Sequence, residues 1–96
     1  MDQLKKLHYI DEKDIKNYEL AELIALKMRN QRALHGLSQE ELANEAGIDR
    51  AYVGQVERCE KNITVKTLAK IAHSFGLEVH EFLNFSDLIK KDSDIH

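Results

Sequence analysis

An all-α fold built from five short helices is what these 96 residues predict, on three observations. The chain has no proline and only four glycines, so little breaks a helix except glycines placed between apolar stripes. Apolar residues recur at three- and four-residue spacing, and no stretch alternates as a strand does. Residues able to cap a helix stand just ahead of most of those stripes. The length suits one domain with a single modest core.

Residues 1–13 are polar and mixed in charge, with a small apolar cluster at Leu7, Tyr9 and Ile10. A loose arm and a docked turn are both compatible with that pattern. The first helix is expected to start between Asp14 and Tyr18 and to run to about His35. Leu20, Leu23, Ile24 and Met28 form its inner stripe, and Gly36 stops it. Gln31 falls where the stripe should continue, which predicts a wetter far end.

The run from Leu37 to Lys61 is the centre of the chain. Ser38 with Glu41 makes a Ser-x-x-Glu capping box for a second helix, whose apolar face is Leu42, Ala43 and Ala46. Gly47 is the residue type that ends a helix at φ > 0. Asp49 can cap a third helix with Val53 and Val56 inward, and small Ala43 and Gly54 would let the two cross closely. Two helices this short and this tightly joined are a helix-turn-helix. The third helix leaves Arg50, Ala51, Tyr52, Gly54, Gln55 and Arg58 on its outer faces, as a reader would. Thr64 caps a fourth helix with Leu68, Ile71, Ala72 and Phe75 inward and Gly76 at its end. Leu77, Val79, Phe82 and Leu83 suggest a short fifth helix, with Glu78 a poorer cap than Ser or Asp. Beyond it Phe85, Leu88 and Ile89 are more apolar surface than a monomer leaves exposed, and Lys90 to His96 reads as a frayed tail. The expected division is an arm over 1–17, the domain over 18–85 and a tail over 86–96.

A formal charge of −3 is awkward for a nucleic-acid binder, so its distribution decides. From Arg50 to Lys70 five bases face two acids, a local +3, whereas Gly36 to Asp49 holds four acids and no base. Positive charge gathers on the reader and the segment after it, the footprint of a protein with one anion-facing side. No apolar run approaches the roughly 20 residues of a membrane helix, and the N-terminus lacks the apolar stretch of a secretory signal. A soluble intracellular protein without a membrane partner is expected. Cys59 is the single cysteine, which excludes an internal disulfide. The histidines at 8, 35, 73, 80 and 96 show no ligand spacing, no nucleophile–base–acid set is assembled, and neither metal, cofactor nor enzyme activity is expected.

With five helices laid out, the chain resembles the phage-repressor (Cro-like, or xenobiotic-response-element) helix-turn-helix family. The likeness covers about Ile24 to Leu83 and rests on G36-L-S-Q-E-E-L-A-N-E-A-G47, on Y52-V-G-Q-V-E-R58 and on L68-A-K-I-A-x-x-F-G76. Within that family, I48-D-R-A-Y-V-G-Q-V-E-R and K61-N-I-T-V-K-T-L are similar to the restriction–modification controller proteins, small homodimeric autoregulators. The first 17 residues have no counterpart in the shortest members, and Gln31 replaces a usual core aliphatic.

Asp49 capping places Arg50 on the reader's first turn, where its fork suits guanine O6 and N7. Ala51 can meet a thymine methyl or simply fill the helix, and Gln55, one turn on, can pair with adenine. Gln39 opens the second helix, where the resemblance implies a phosphate contact, and Tyr52 can reach sugar or phosphate or pack across the helix. Arg58, Lys61 and Lys66 lie past the groove-facing turn and suit phosphate anchoring. Asn62 and Thr64 can donate to phosphate, although loop formation and capping explain both. The resemblance implies that Glu57 pairs with an arginine of the first helix, Arg29 or Arg32, to hold the reader at its angle.

These readings imply a homodimeric, sequence-specific DNA-binding transcriptional regulator on a palindromic site of double-stranded DNA. The dimer seam is expected at Val79, Phe82, Phe85, Leu88 and Ile89. Occlusion of a promoter would repress, and contact with RNA polymerase from a neighbouring site would activate. A cytoplasmic protein, bacterial or phage-encoded, is implied by the resemblance. The alternative is an antitoxin-like interaction module whose apolar C-terminal strip masks a partner protein, with DNA binding secondary.

Overall fold

The computed structural model of the chain describes residues 7–90. Five α-helices follow one another: α1 (Leu20–His35), α2 (Gln39–Ala46), α3 (Arg50–Glu57), α4 (Val65–Ser74) and α5 (Val79–Phe82). Two 3-10 turns, Glu12–Asn17 and Phe85–Leu88, flank the bundle. Two-residue strands β1 (Ile10–Asp11) and β2 (Ile89–Lys90) pair in parallel, with Ile10 opposite Ile89 and Asp11 opposite Lys90.

Local chemistry sets the helix ends. The Ser38 hydroxyl accepts from Glu41 N–H at 3.0 Å and the Glu41 carboxylate accepts from Ser38 N–H at 2.9 Å. The Ser38 backbone N–H first, and the Ser38 hydroxyl second, hold the Glu41 carboxyl below the usual carboxylate range. Gly47 follows at φ 70 in the left-handed region, and its turn brings the Ile48 N–H back to Ala43 O at 2.9 Å. Asp49 then accepts from Ala51 N–H at 2.9 Å and starts α3 in a new direction. Thr64 caps α4 by accepting from Thr67 N–H. Glu78 proves an effective start for α5, because Glu81 answers it in a reciprocal capping box. The first helix begins later than expected, at Leu20, because Tyr18 is extended (φ −94, ψ 136) and Glu19 with Glu22 forms another capping box.

The main core joins Ile24 and Met28 of α1, Leu42, Ala43 and Ala46 of α2, Val53 and Val56 of α3, Leu68, Ile71 and Ala72 of α4, and Phe75 and Phe82. Phe75 and Phe82 stack with ring centroids 6.3 Å apart. A second, smaller cluster of Ile10, Leu26 and Leu88 lies on the other side of α1. The segment before α1 is therefore docked, clasped together with the segment after α5. His8 N–H donates to Asn30 Oδ1 at 3.0 Å and Asn30 Nδ2 donates to His8 O at 2.8 Å, an amide matched to one backbone unit. Lys27 is 3% exposed, and its ammonium donates to Asn84 O and to the Asp87 carboxylate, each at 2.9 Å. Gln31, expected at a wetter helix end, is only 9% exposed.

Two expectations for the C-terminal strip need correction. Phe82 and Leu88 have no exposed surface: one completes the main core, the other the clasp. They are not an apolar strip outside the domain, because the chain supplies its own cover from α4 and from Ile10. Val79, Phe85 and Ile89 are half-buried. Of the run from Lys90 to His96, expected as a frayed tail, Lys90 belongs to β2 and the rest lies outside the described residues.

Candidate nucleic-acid interface

Helix α3 sits against α1 and α2 through Val53 and Val56, which are buried. Arg50 and Ala51 are thereby left fully on the outside at its first turn, and Gln55 is half-buried one turn later. Gln39, Asp49, Arg50, Ala51, Gly54, Gln55 and Arg58 line one shallow, open concavity. The three side chains expected to read bases are brought together there. Among the described residues, no side-chain hydrogen bond or ion pair engages Arg50, so its fork points at solvent with its donors unspent.

Glu57 is the anchor of that surface. It is 3% exposed, and Arg32 grips its carboxylate with both edges of a fork, Nε to Oε2 at 2.7 Å and Nη2 to Oε1 at 2.8 Å. Arg29 Nη1 adds a bond to the Glu57 carbonyl at 2.6 Å. Both arginines considered for the pairing thus hold the end of α3, one through the side chain and one through the backbone. Gln39 Nε2 donates to Glu57 Oε1 at 3.0 Å, so the buried carboxylate also orients the first residue of α2. The Gln39 amide oxygen is left beside Gly54.

Gly54 does not serve a close approach of two backbones. A Cβ there would stand 2.9 Å from Arg58 Nη1 and 3.5 Å from Gln39 Oε1, so the space belongs to two side chains. Arg58 in turn is paired with Glu60, Nε to Oε2 at 2.8 Å and Nη2 to Oε1 at 3.1 Å. The bonds and charge of Glu60 raise the Arg58 guanidinium above its ordinary range, and Arg58 holds the Glu60 carboxyl below its own. Cys59 makes this possible by taking φ 60, with Cys59 N–H returning to Val56 O at 3.0 Å and Glu60 N–H to Gln55 O at 2.8 Å. A non-glycine residue there costs on the order of 1 kcal/mol.

The remaining expected backbone contacts lie outside the concavity. Tyr52 is half-buried and its hydroxyl accepts from Thr64 N–H at 3.0 Å, while the Lys61 ammonium stands 5.4 Å from the Tyr52 ring centroid. Tyr52, Lys61 and Thr64 therefore form one unit joining α3 to α4, and Tyr52 packs across rather than projecting alone. Lys66 is exposed on the first turn of α4. Asn62 borders a small recess of about 190 Å³ with Leu20, Ala21, Ile24, Val56, Lys61 and Ile63. Glu60 was legible in no pattern: a pair two residues apart does not share a helix face, and it exists only because Cys59 is left-handed.

The helix-turn-helix family model matches residues 28–82, more than half of the chain. The chain belongs to the helix-turn-helix family. This helix-turn-helix protein is a transcription regulator similar to several control proteins. It is 39% identical over 70 residues to control protein C.SmaI of Serratia marcescens, spanning 73% of this chain and 83% of that one. The crystal structure of the restriction–modification controller protein C.AhdI from Aeromonas hydrophila superposes with a TM-score of 0.64 at 37% identity, over 68% of this chain and 98% of that one. A hypothetical transcription factor from Neisseria aligns with a TM-score of 0.65 at 40% identity, over 68% of this chain and 75% of that one. Ile10 and Leu88 of the clasp fall outside the residues that the family model matches. Among the described residues no helix is long and apolar enough to cross a membrane.

Proposed function

We propose that the helix-turn-helix protein binds a palindromic operator as a homodimer and regulates its own expression in the manner of a restriction–modification controller. The observation that carries this is the solvent-facing first turn of α3, where Arg50 is unspent beside Ala51 and Gln55, on a helix whose far end is locked by Arg32 and Glu57. In this docking mode the first turn of the reader meets base edges and a locked helix fixes their register. Gln39, Lys61 and Lys66, with Tyr52, Asn62 and Thr64 as further donors, flank it and supply phosphate contacts. Two copies would place their readers about 34 Å apart in successive major grooves. Val79, Phe85 and Ile89 remain the apolar residues available for the seam.

Control follows from occupancy. A dimer over a promoter excludes polymerase, and one bound beside it touches polymerase and activates, with the protein's own concentration as the variable. The work belongs in the cytoplasm, on DNA, and involves no enzymatic step. The interaction-module reading rests on an apolar C-terminal strip, and burial of Phe82 and Leu88 within the chain removes two of its five residues.

Selection of bound duplexes from a random pool, with sedimentation of the pure protein, tests the proposal. A dimer that selects an inverted repeat with half-sites about 10 base pairs apart supports it. A monomer that selects nothing at low salt, or one that dimerises only with a second protein, overturns it. On the selected site Arg50→Ala should lose about 1–3 kcal/mol of discrimination at one guanine per half-site while random DNA is bound nearly as before.

A further inference from the structure

Arg58 does not project off the end of α3. Its guanidinium folds back across Gly54, close enough that a Cβ there would stand 2.9 Å from Nη1, and so lies in the same concavity as Arg50, Ala51 and Gln55. Glu60 occupies one edge of it, Nε and Nη2, at 2.8 and 3.1 Å. The opposite edge, Nη1 with the outer hydrogen of Nη2, has no partner among the described residues. The backbone holds Glu60 in place through Cys59 at φ 60 and the Glu60 N–H bond to Gln55 O at 2.8 Å.

The two edges of a guanidinium do different work. A carboxylate on the side edge neutralises much of the charge, which weakens the long-range pull on phosphate. It also stiffens a flexible side chain and leaves the end edge as a planar two-donor fork, the shape that matches guanine O6 and N7. A residue meant only for phosphate gains nothing from a nearby acid, which the backbone of a duplex would repel. We propose that Arg58 is a second base-reading residue, taking a guanine with its end edge, and that Glu60 is the positioning residue that aims it. The inference rests on the DNA-binding reading above and adds a specificity determinant to it. It also reassigns Arg58 from the phosphate anchoring that its place in the sequence suggests.

The test is selection from a random pool by the full chain and its Arg50→Ala, Arg58→Ala and Glu60→Gln variants, then titration of the selected site, its single-guanine substitutions and a random duplex at several salt concentrations. The Arg58 and Glu60 side chains are more than half exposed, 57% and 54%, so neither substitution removes core packing, and circular dichroism checks that α-helix is retained. The wild type should prefer a guanine per half-site that Arg50→Ala does not erase. Arg58→Ala should lower discrimination there by about 10- to 100-fold. Glu60→Gln should relax it about tenfold while random duplex binds more tightly and the salt slope steepens by about one. If Arg58→Ala weakens every sequence alike, Arg58 is a phosphate anchor and the inference fails. If Glu60→Gln leaves guanine preference and salt slope unchanged, Glu60 positions nothing. A selected motif insensitive to both variants overturns this inference alone, whereas a wild type that selects no sequence overturns the DNA-binding reading with it.

Discussion

At the scale of single residues, one buried carboxylate organises the reading surface. Glu57 receives Arg32 on both oxygens and Gln39 on one, and Arg29 holds its carbonyl. Replacing it with alanine would strand Arg32, whose side chain is 19% exposed, without its counter-charge. Glu57→Ala should therefore cost about 3–5 kcal/mol in urea unfolding. Glu57→Gln keeps the shape and should cost less; equal losses would show that the lost charge sets the cost and the retained volume does not. The exposed Arg58–Glu60 pair is of a different kind. Because Arg58 holds the Glu60 carboxyl below its ordinary range, the pair persists through neutral and mildly acidic pH. It opens only as pH falls through that lowered value, so any guanine preference due to Arg58 should persist at pH 6. With both side chains more than half exposed, the pair adds little to stability.

At the scale of elements, the helices divide into those that carry the reader and those that brace it. Helices α2 and α3 are eight residues each, too short to be stable alone, and hold their shape through caps and through burial against α1 and α4. Helix α1 is held from the other side by the clasp of β1, β2 and the Ile10, Leu26 and Leu88 cluster. Since α1 also carries Arg29 and Arg32, the clasp and the reader share a support. Leu88→Ala should lower stability by about 2–5 kcal/mol, visible as an earlier urea midpoint. If Leu88→Ala leaves the midpoint unchanged, Leu88 is not packed in solution and the clasp is not part of the fold. A charge at Phe82 would likewise test folding rather than association, because that ring is in the core.

At the scale of the whole molecule, a net −3 coexists with a locally basic side because the charges are segregated along the chain. Arg50 to Lys70 holds five bases and two acids, and two of those seven, Arg58 and Glu60, cancel each other. Binding should consequently be steeply salt-dependent while the protein as a whole remains acidic. Replacing Lys61 with alanine should weaken all duplexes alike and reduce the salt slope by about one. An unchanged slope would mean that Lys61 serves only to cover the Tyr52 ring, 5.4 Å away.

What the sequence by itself determined is whatever depends on neighbours within about one helical turn. Ser38 with Glu41, Gly47, Asp49 and Thr64 each act on residues two to five positions away, so helices α2 to α4 and the exposed first turn of the reader were legible from spacing alone. Glu57's partner was narrowed to two arginines by resemblance, and both contribute. Only the tertiary structure decided what requires distant segments to meet. Ile10 and Leu88 find each other across most of the chain, and strands of two residues leave no periodicity to read. An apolar cluster near a chain end looks the same in sequence whether a second copy or the chain itself covers it, and here the chain covers Phe82 and Leu88. The aim of Arg58 was hidden for a related reason: a left-handed cysteine turns Glu60 back onto it, and backbone sign at a non-glycine position is set by the surrounding packing.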